Sequence, residues 1–145
     1  MNINTLYQHL KETTLFEQTK LVSESEIDLS TDCFYDDQRN EGDSPTEVVL
    51  CLKQEGENLI LTDKGRTREY MDAVFELGEE DVIKNIIAIT NECGVSTRDK
   101  RLSLELGKSE ETDNIKEFIK KLKEKSSKLT ISCIGFLTAM KIFYV

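Results

Sequence analysis

The run Asn58-Leu59-Ile60-Leu61-Thr62-Asp63-Lys64-Gly65-Arg66-Thr67 constrains the fold of this chain more than any other stretch. A short apolar segment of β type closes on Thr-Asp-x-Gly-x-Thr, residue types that turn a chain and cap a helix. A strand therefore passes directly into a helix, and the expected class is α+β. Two chemistries suit the corner itself. Asp63, Lys64 and Arg66 form a candidate ionic site at a strand end, for a phosphate, a metal or a charged partner. Helix capping is the simpler alternative: Asp63 or Thr62 accepts orphan backbone N–H groups while Gly65 lets the chain turn tightly.

The rest of the chain supplies the partners of that strand. Residues 3–22 place Ile3, Leu6, Tyr7, Leu10, Leu15 and Leu21 at spacings near three and four, which predicts an amphipathic N-terminal helix weakened at Thr13 and Thr14. Residues 26–35 alternate and predict a strand, or a strand with an irregular middle. Val48 to Leu52 and Leu59 to Leu61, with Gln54 to Asn58 between them, predict a β-hairpin. After the corner, Tyr70, Met71, Val74, Phe75 and Leu77 give a helical face, and a further helix is expected over 79–93. Val95 to Thr97 and Leu102, Leu104 and Leu106 then predict a small hairpin at 95–106 with a basic turn, Arg98-Asp99-Lys100-Arg101.

Ser109, ahead of Glu110 and Glu111, is the expected cap of a long final helix. Its stripe of Ile115, Phe118, Leu122, Leu129, Cys133, Phe136, Met140 and Phe143 is interrupted around Ser126. Unbroken, such a helix of about 34 residues would reach about 50 Å, so it either bends near Ser126 or projects and pairs. The apolar end, residues 129–145, contains Ser132, Thr138 and Lys141 and sits at the short limit for a membrane span. A core or dimer-forming helix is expected instead. One domain over 1–145 follows: an N-terminal helix to 22, an acidic β portion over 26–62, and a mostly helical portion over 64–145. The expected architecture is a small antiparallel sheet of hairpins packed with about four helices.

Composition decides between functional classes. At 145 residues, with 38% hydrophobic and 32% charged residues and one proline, the chain can bury a core without staples. Cys33, Cys51, Cys93 and Cys133 form no Cys-x-x-Cys pair and no signal segment opens the chain, so buried thiols in a reducing cytoplasm are expected. His9 has no second histidine to make a site. The net charge of −9 is unevenly placed. Residues 1–63 hold 4 Lys/Arg against 14 Asp/Glu, a net of −10, and residues 64–145 hold 15 against 14, a net of +1. An acidic half repels a phosphate backbone and suits a protein partner with a basic surface. Direct nucleic-acid binding is therefore not expected of that half.

The most acidic stretch is Asp36-Asp37-Gln38-Arg39-Asn40-Glu41-Gly42-Asp43-Ser44-Pro45, an exposed loop by composition. Asp36, Asp37, Glu41 and Asp43 are the candidate partner-binding residues. With Asp32 and Asp63 they form a conceivable Mg²⁺ or Ca²⁺ ligand set, but the spacing fits no Ca²⁺-loop pattern. No metal and no cofactor is assigned. Glu47 opens a strand, yet Lys53 lies six residues on, so the acid-x-lysine pair of restriction-type nucleases is missing. No G-x-S-x-G, no phosphate-cradling glycine loop and no H-E-x-x-H occurs. The lysines at 120, 121, 123, 125 and 128 read as a solvated helix face. Nothing in the chain amounts to a catalytic signature.

The run Leu59-Ile60-Leu61-Thr62-Asp63-Lys64-Gly65-x-Thr67, followed by Cys93-Gly94-Val95 and the Leu102/Leu104/Leu106 hairpin, resembles the bacterial and prophage domain-of-unknown-function family 1828. The resemblance spans about residues 26–140, and the strand ending Leu-Thr-Asp-x-Gly is its most specific part. It implies a cytoplasmic α+β domain of bacteria or their mobile elements, with no assigned activity. Lys64 stands where the family pattern would place a small or acidic residue, which argues against an all-carboxylate metal role. The expected function is a non-catalytic acidic interaction protein, such as a phage or mobile-element defence or counter-defence factor. A metal-dependent nucleic-acid or nucleotide-processing enzyme using Asp63 and the acidic loop is the alternative, and a homodimer through the C-terminal helix the expected assembly.

Overall fold

A computed structural model describes residues 2–35, 46–74, 95–98, 101–109 and 114–144. The acidic run 36–45, the helix expected over 79–93 and the turn residues Asp99 and Lys100 lie outside them. Among the described residues the chain forms helices α1 (Ile3–Lys11), α2 (Arg66–Val74) and α3 (Ile115–Tyr144). The strands are β1 (Gln18–Ser23), β2 (Glu26–Phe34), β3 (Glu47–Glu55), β4 (Asn58–Thr62), β5 (Ser96–Arg98) and β6 (Arg101–Lys108). All pairings are antiparallel, in the order β1-β2-β3-β4-β6-β5. The α+β class and the antiparallel sheet agree with the sequence pattern. Three helices, rather than about four, are present among the described residues.

Strand alternation builds the core. Ile27 and Leu29 of β2, Val48, Leu50 and Leu52 of β3, Leu59 and Leu61 of β4, and Leu102, Leu104 and Leu106 of β6 are buried on one face. Registers such as Ile27↔Leu52, Leu52↔Leu61 and Leu61↔Leu104 set them side by side. Onto this face α1 places Ile3, Leu6 and Leu10, and α3 places Phe118, Leu122, Leu129 and Cys133. Each such side chain contributes about 1.5–3 kcal/mol on burial. The hairpin between β3 and β4 closes in two residues, where Gly56 supplies the φ of +60° that the first position of a primed turn requires.

Two helix boundaries differ from expectation. The N-terminal helix ends at Lys11 rather than 22, because Thr13 donates both its N–H and its hydroxyl to the carbonyl of Leu10 and closes the last turn. The following residues cross to the sheet as edge strand β1. The last helix is capped by Asn114, whose Oδ1 accepts the N–H of Glu117 at 3.4 Å; Ser109 instead donates its N–H to Glu57 at 2.8 Å. That helix runs unbroken through Ser126, which lies in the buried stripe with its hydroxyl satisfied by the carbonyl of Lys123 at 3.0 Å. Its 30 residues span about 45 Å at about 1.5 Å each. Among the described residues no helix is long and apolar enough to cross a membrane.

Candidate functional site

The Thr-Asp-Lys-Gly corner is a structural hub. Asp63 is fully buried, and its Oδ1 accepts N–H bonds from Gly65 and from Leu102 of β6, both at 2.9 Å. Oδ2 accepts the N–H of Thr67 at 3.3 Å. One carboxylate thus caps the first turn of α2 and fastens it to the sheet. Thr62 continues the seam, donating its hydroxyl to the carbonyl of Leu102 and accepting the N–H of Lys64. Beneath the corner the Tyr35 hydroxyl meets Thr67 Oγ1 at 2.8 Å, and the Tyr35 and Tyr70 rings stack at 4.8 Å. Burial pushes the Tyr35 phenol and the Cys133 thiol well above their usual values.

The proposed trio of Asp63, Lys64 and Arg66 divides. Lys64, in the left-handed region at φ +56°, pairs with Glu26 at 3.1 Å. Arg66 pairs with Asp28 at 3.0 Å and donates to the carbonyl of Val49 at 3.0 Å. Asp63 shares no ion pair with either. The Lys64 ammonium holds the Glu26 carboxyl below its usual value against the opposing effect of burial. Cys51, cross-strand from Asp28, donates its thiol to Glu26 at 3.7 Å, and burial followed by the Glu26 and Asp28 charges pushes it up to about 12. Cys33, Cys51 and Cys133 are free thiols, the latter two buried as expected; Cys93 lies outside the described residues.

Acidic side chains gather at the other end of the first strands. Glu17 is fixed just before β1 by donating its N–H to the carbonyl of Ser30 at 3.1 Å. The β2–β3 register is irregular between Ser30 and Phe34, where the Thr31 hydroxyl reaches the carbonyl of Val48 at 2.6 Å and accepts the N–H of Cys33. That irregularity sets Asp32 at φ +58°, a conformation that aspartate tolerates better than most residues. Glu47 opens β3 opposite Phe34. The three carboxylates lie within 4.8 Å of one another. Glu17 titrates above its usual value because it shares a hydrogen bond with Glu47 and feels the Asp32 charge.

Tyr35 donates its N–H to the carbonyl of Thr46 at 3.0 Å, so the described residues on either side of 36–45 meet next to Glu47. Asp36, Asp37, Glu41 and Asp43 themselves lie outside the described residues. Asp32 and Glu47 were visible in the sequence as members of other patterns; Glu17 was not, because residues 17, 32 and 47 meet only through sheet pairing.

Together these features define a two-layer α+β domain whose sheet carries an acidic end. No family model, curated protein or solved structure matches the chain.

Proposed function

We propose that this chain is a non-catalytic acidic interaction protein that occupies a basic surface on a protein partner. The observation that carries the proposal is the convergence of Glu17, Asp32 and Glu47 at the sheet end where Tyr35 meets Thr46. Like charges held this close are costly to each other and become favourable when a cationic surface approaches. The net of −10 over residues 1–63 places the acidity in this half. A defence or counter-defence factor of a phage or mobile element, acting in the cytoplasm against a nucleic-acid-binding protein, is the setting that the resemblance to family 1828 favours. Pairing of two copies through the C-terminal helix belongs to the same reading.

The metal-dependent enzyme draws less support, because among the described residues the Asp63 carboxylate receives its hydrogen bonds from backbone N–H groups inside a buried corner. The test is a titration of a partner captured with the chain from its native host, at low and high salt. Affinity should fall with salt and on neutralising Glu17, Asp32 and Glu47 or Asp36, Asp37, Glu41 and Asp43. Binding indifferent to both changes would end the proposal.

A further inference from the structure

An open cavity of about 330 Å³ lies between the α1–β1 connection, β2 and α3. It has room for about ten water-sized groups at about 30 Å³ each, the scale of a small ligand. Leu15 and Phe16 supply apolar wall on one side, and the exposed Ile131 on the other. Two polar groups of α3 interrupt that lining. Lys123 is its only charged residue, and the Lys123 ammonium has no ion pair among the described residues. Thr130 is only 7% exposed, yet its hydroxyl makes no hydrogen bond among the described residues. Nearby hydroxyls on the same helix behave otherwise: Ser126 donates to the carbonyl of Lys123 and Ser132 to that of Lys128. Among the described residues only Asp28 Oδ1 is sealed from solvent without a partner. The Thr130 hydroxyl therefore opens onto free space, and at this residue that space is the cavity.

We infer that this cavity binds a small amphipathic anion: a medium-length alkyl chain with a carboxylate at one end and a hydroxyl or carbonyl at the other. Seven residues of one helix set Lys123 and Thr130 on the same face, about 10 Å apart along the axis. The carboxylate pairs with Lys123, the lysine stem adjusting its reach, and the far polar group meets the Thr130 hydroxyl. The chain between them lies along α3 against Leu15, Phe16 and Ile131. Charge selects the sign of the ligand, because an ammonium would meet the one cation of the lining. The buried hydroxyl selects the second polar group, because a plain alkyl end would leave Thr130 dry and unpaired. None of Glu17, Asp32 and Glu47 lines the cavity, so the site stands independently of the interaction reading above.

Calorimetric titration with three probes of one length tests this directly. The probe 8-hydroxyoctanoate should bind about fivefold more tightly than octanoate, which lacks the hydroxyl, and about threefold more tightly than 1,8-octanediol, which lacks the charge. Thr130→Val should erase the first advantage and keep the second; Lys123→Gln, at an exposed position, should do the reverse and serves alone if Thr130→Val does not fold. The free, half-buried thiol of Cys33 belongs to the same lining and reports occupancy. Saturating 8-hydroxyoctanoate should slow its alkylation by iodoacetamide, read at that residue by mass spectrometry. Equal affinities for the three probes, advantages that both variants leave untouched, or an unchanged rate at Cys33 would overturn the inference. A dimer in light scattering whose Cys33 is already protected, with or without the probe, would give the cavity to a second copy and also overturn it.

Discussion

Asp63 and the Glu17/Asp32/Glu47 group are made of the same chemistry in opposite circumstances. Asp63 is buried and receives three backbone N–H bonds. In the group, Glu17 and Asp32 are exposed and Glu47 is half-buried, and the carboxylates face one another. Hydrogen bonds aimed at a carboxylate stabilise the fold around it, whereas carboxylates set against each other cost stability that an incoming cation can recover. The position that looks most like an active site in the sequence thus builds structure, and the proposed interaction rests on a set of separated acids instead.

The largest effect that should separate the two regions comes from Asp63→Ala. It orphans buried N–H groups on both α2 and β6 and should cost about 4 kcal/mol in urea unfolding, a large share of a domain stability of about 5–15 kcal/mol. A loss below about 1 kcal/mol would show that the corner is not a hub. Tyr35→Phe, which removes the hydroxyl bonded to Thr67 while keeping the ring stack, should cost about 1–2 kcal/mol by the same assay.

Lys64→Gln keeps the left-handed backbone but removes the pair with Glu26. A partly exposed pair of this kind is worth below about 1 kcal/mol, and its pH dependence is diagnostic. The folded Glu26 carboxyl is lowered from 4.5, so the pair's contribution is present above that value and lost as pH falls through the folded one. Wild type and variant should therefore converge in acid. Their difference persisting there would assign the effect to something other than this ion pair.

The smallest effect has the opposite sign. Glu17 is raised from 4.5, so the folded state binds more protons than the unfolded one, and stability falls as pH rises from 4.5 through the folded value. Glu17→Gln should therefore raise the thermal midpoint slightly at neutral pH and lose that gain in acid. A lower midpoint at neutral pH would show that the acidic group is already compensated within the chain.

How far the sequence discloses each region follows from the range of the interactions. β2, the β3–β4 hairpin and β6 were legible because their apolar alternation is local. The strand-to-helix corner was legible because Thr62, Asp63 and Gly65 act within a few residues. β1 was mistaken for helix: Leu15 and Leu21 match a helical stripe, and as an edge strand β1 carries little apolar alternation of its own. The signal that marks it is Ser23-Glu24-Ser25-Glu26, turn material directly before a clear strand. The bond from Asp63 to Leu102 and the meeting of Glu17, Asp32 and Glu47 were not legible, since both depend on strand pairing and, for Asp32, on an irregularity in β2.

Parallel measurement of peptide affinity and unfolding midpoint for two variants tests the division most directly. Asp63→Asn should lower the midpoint and bind a lysine-rich peptide as wild type does. Glu17→Gln/Asp32→Asn/Glu47→Gln should keep or raise the midpoint and lose several-fold in affinity, with a weaker salt dependence. A folded Asp63→Asn protein that no longer binds, beside a carboxylate-neutral variant that binds unchanged, would contradict the account.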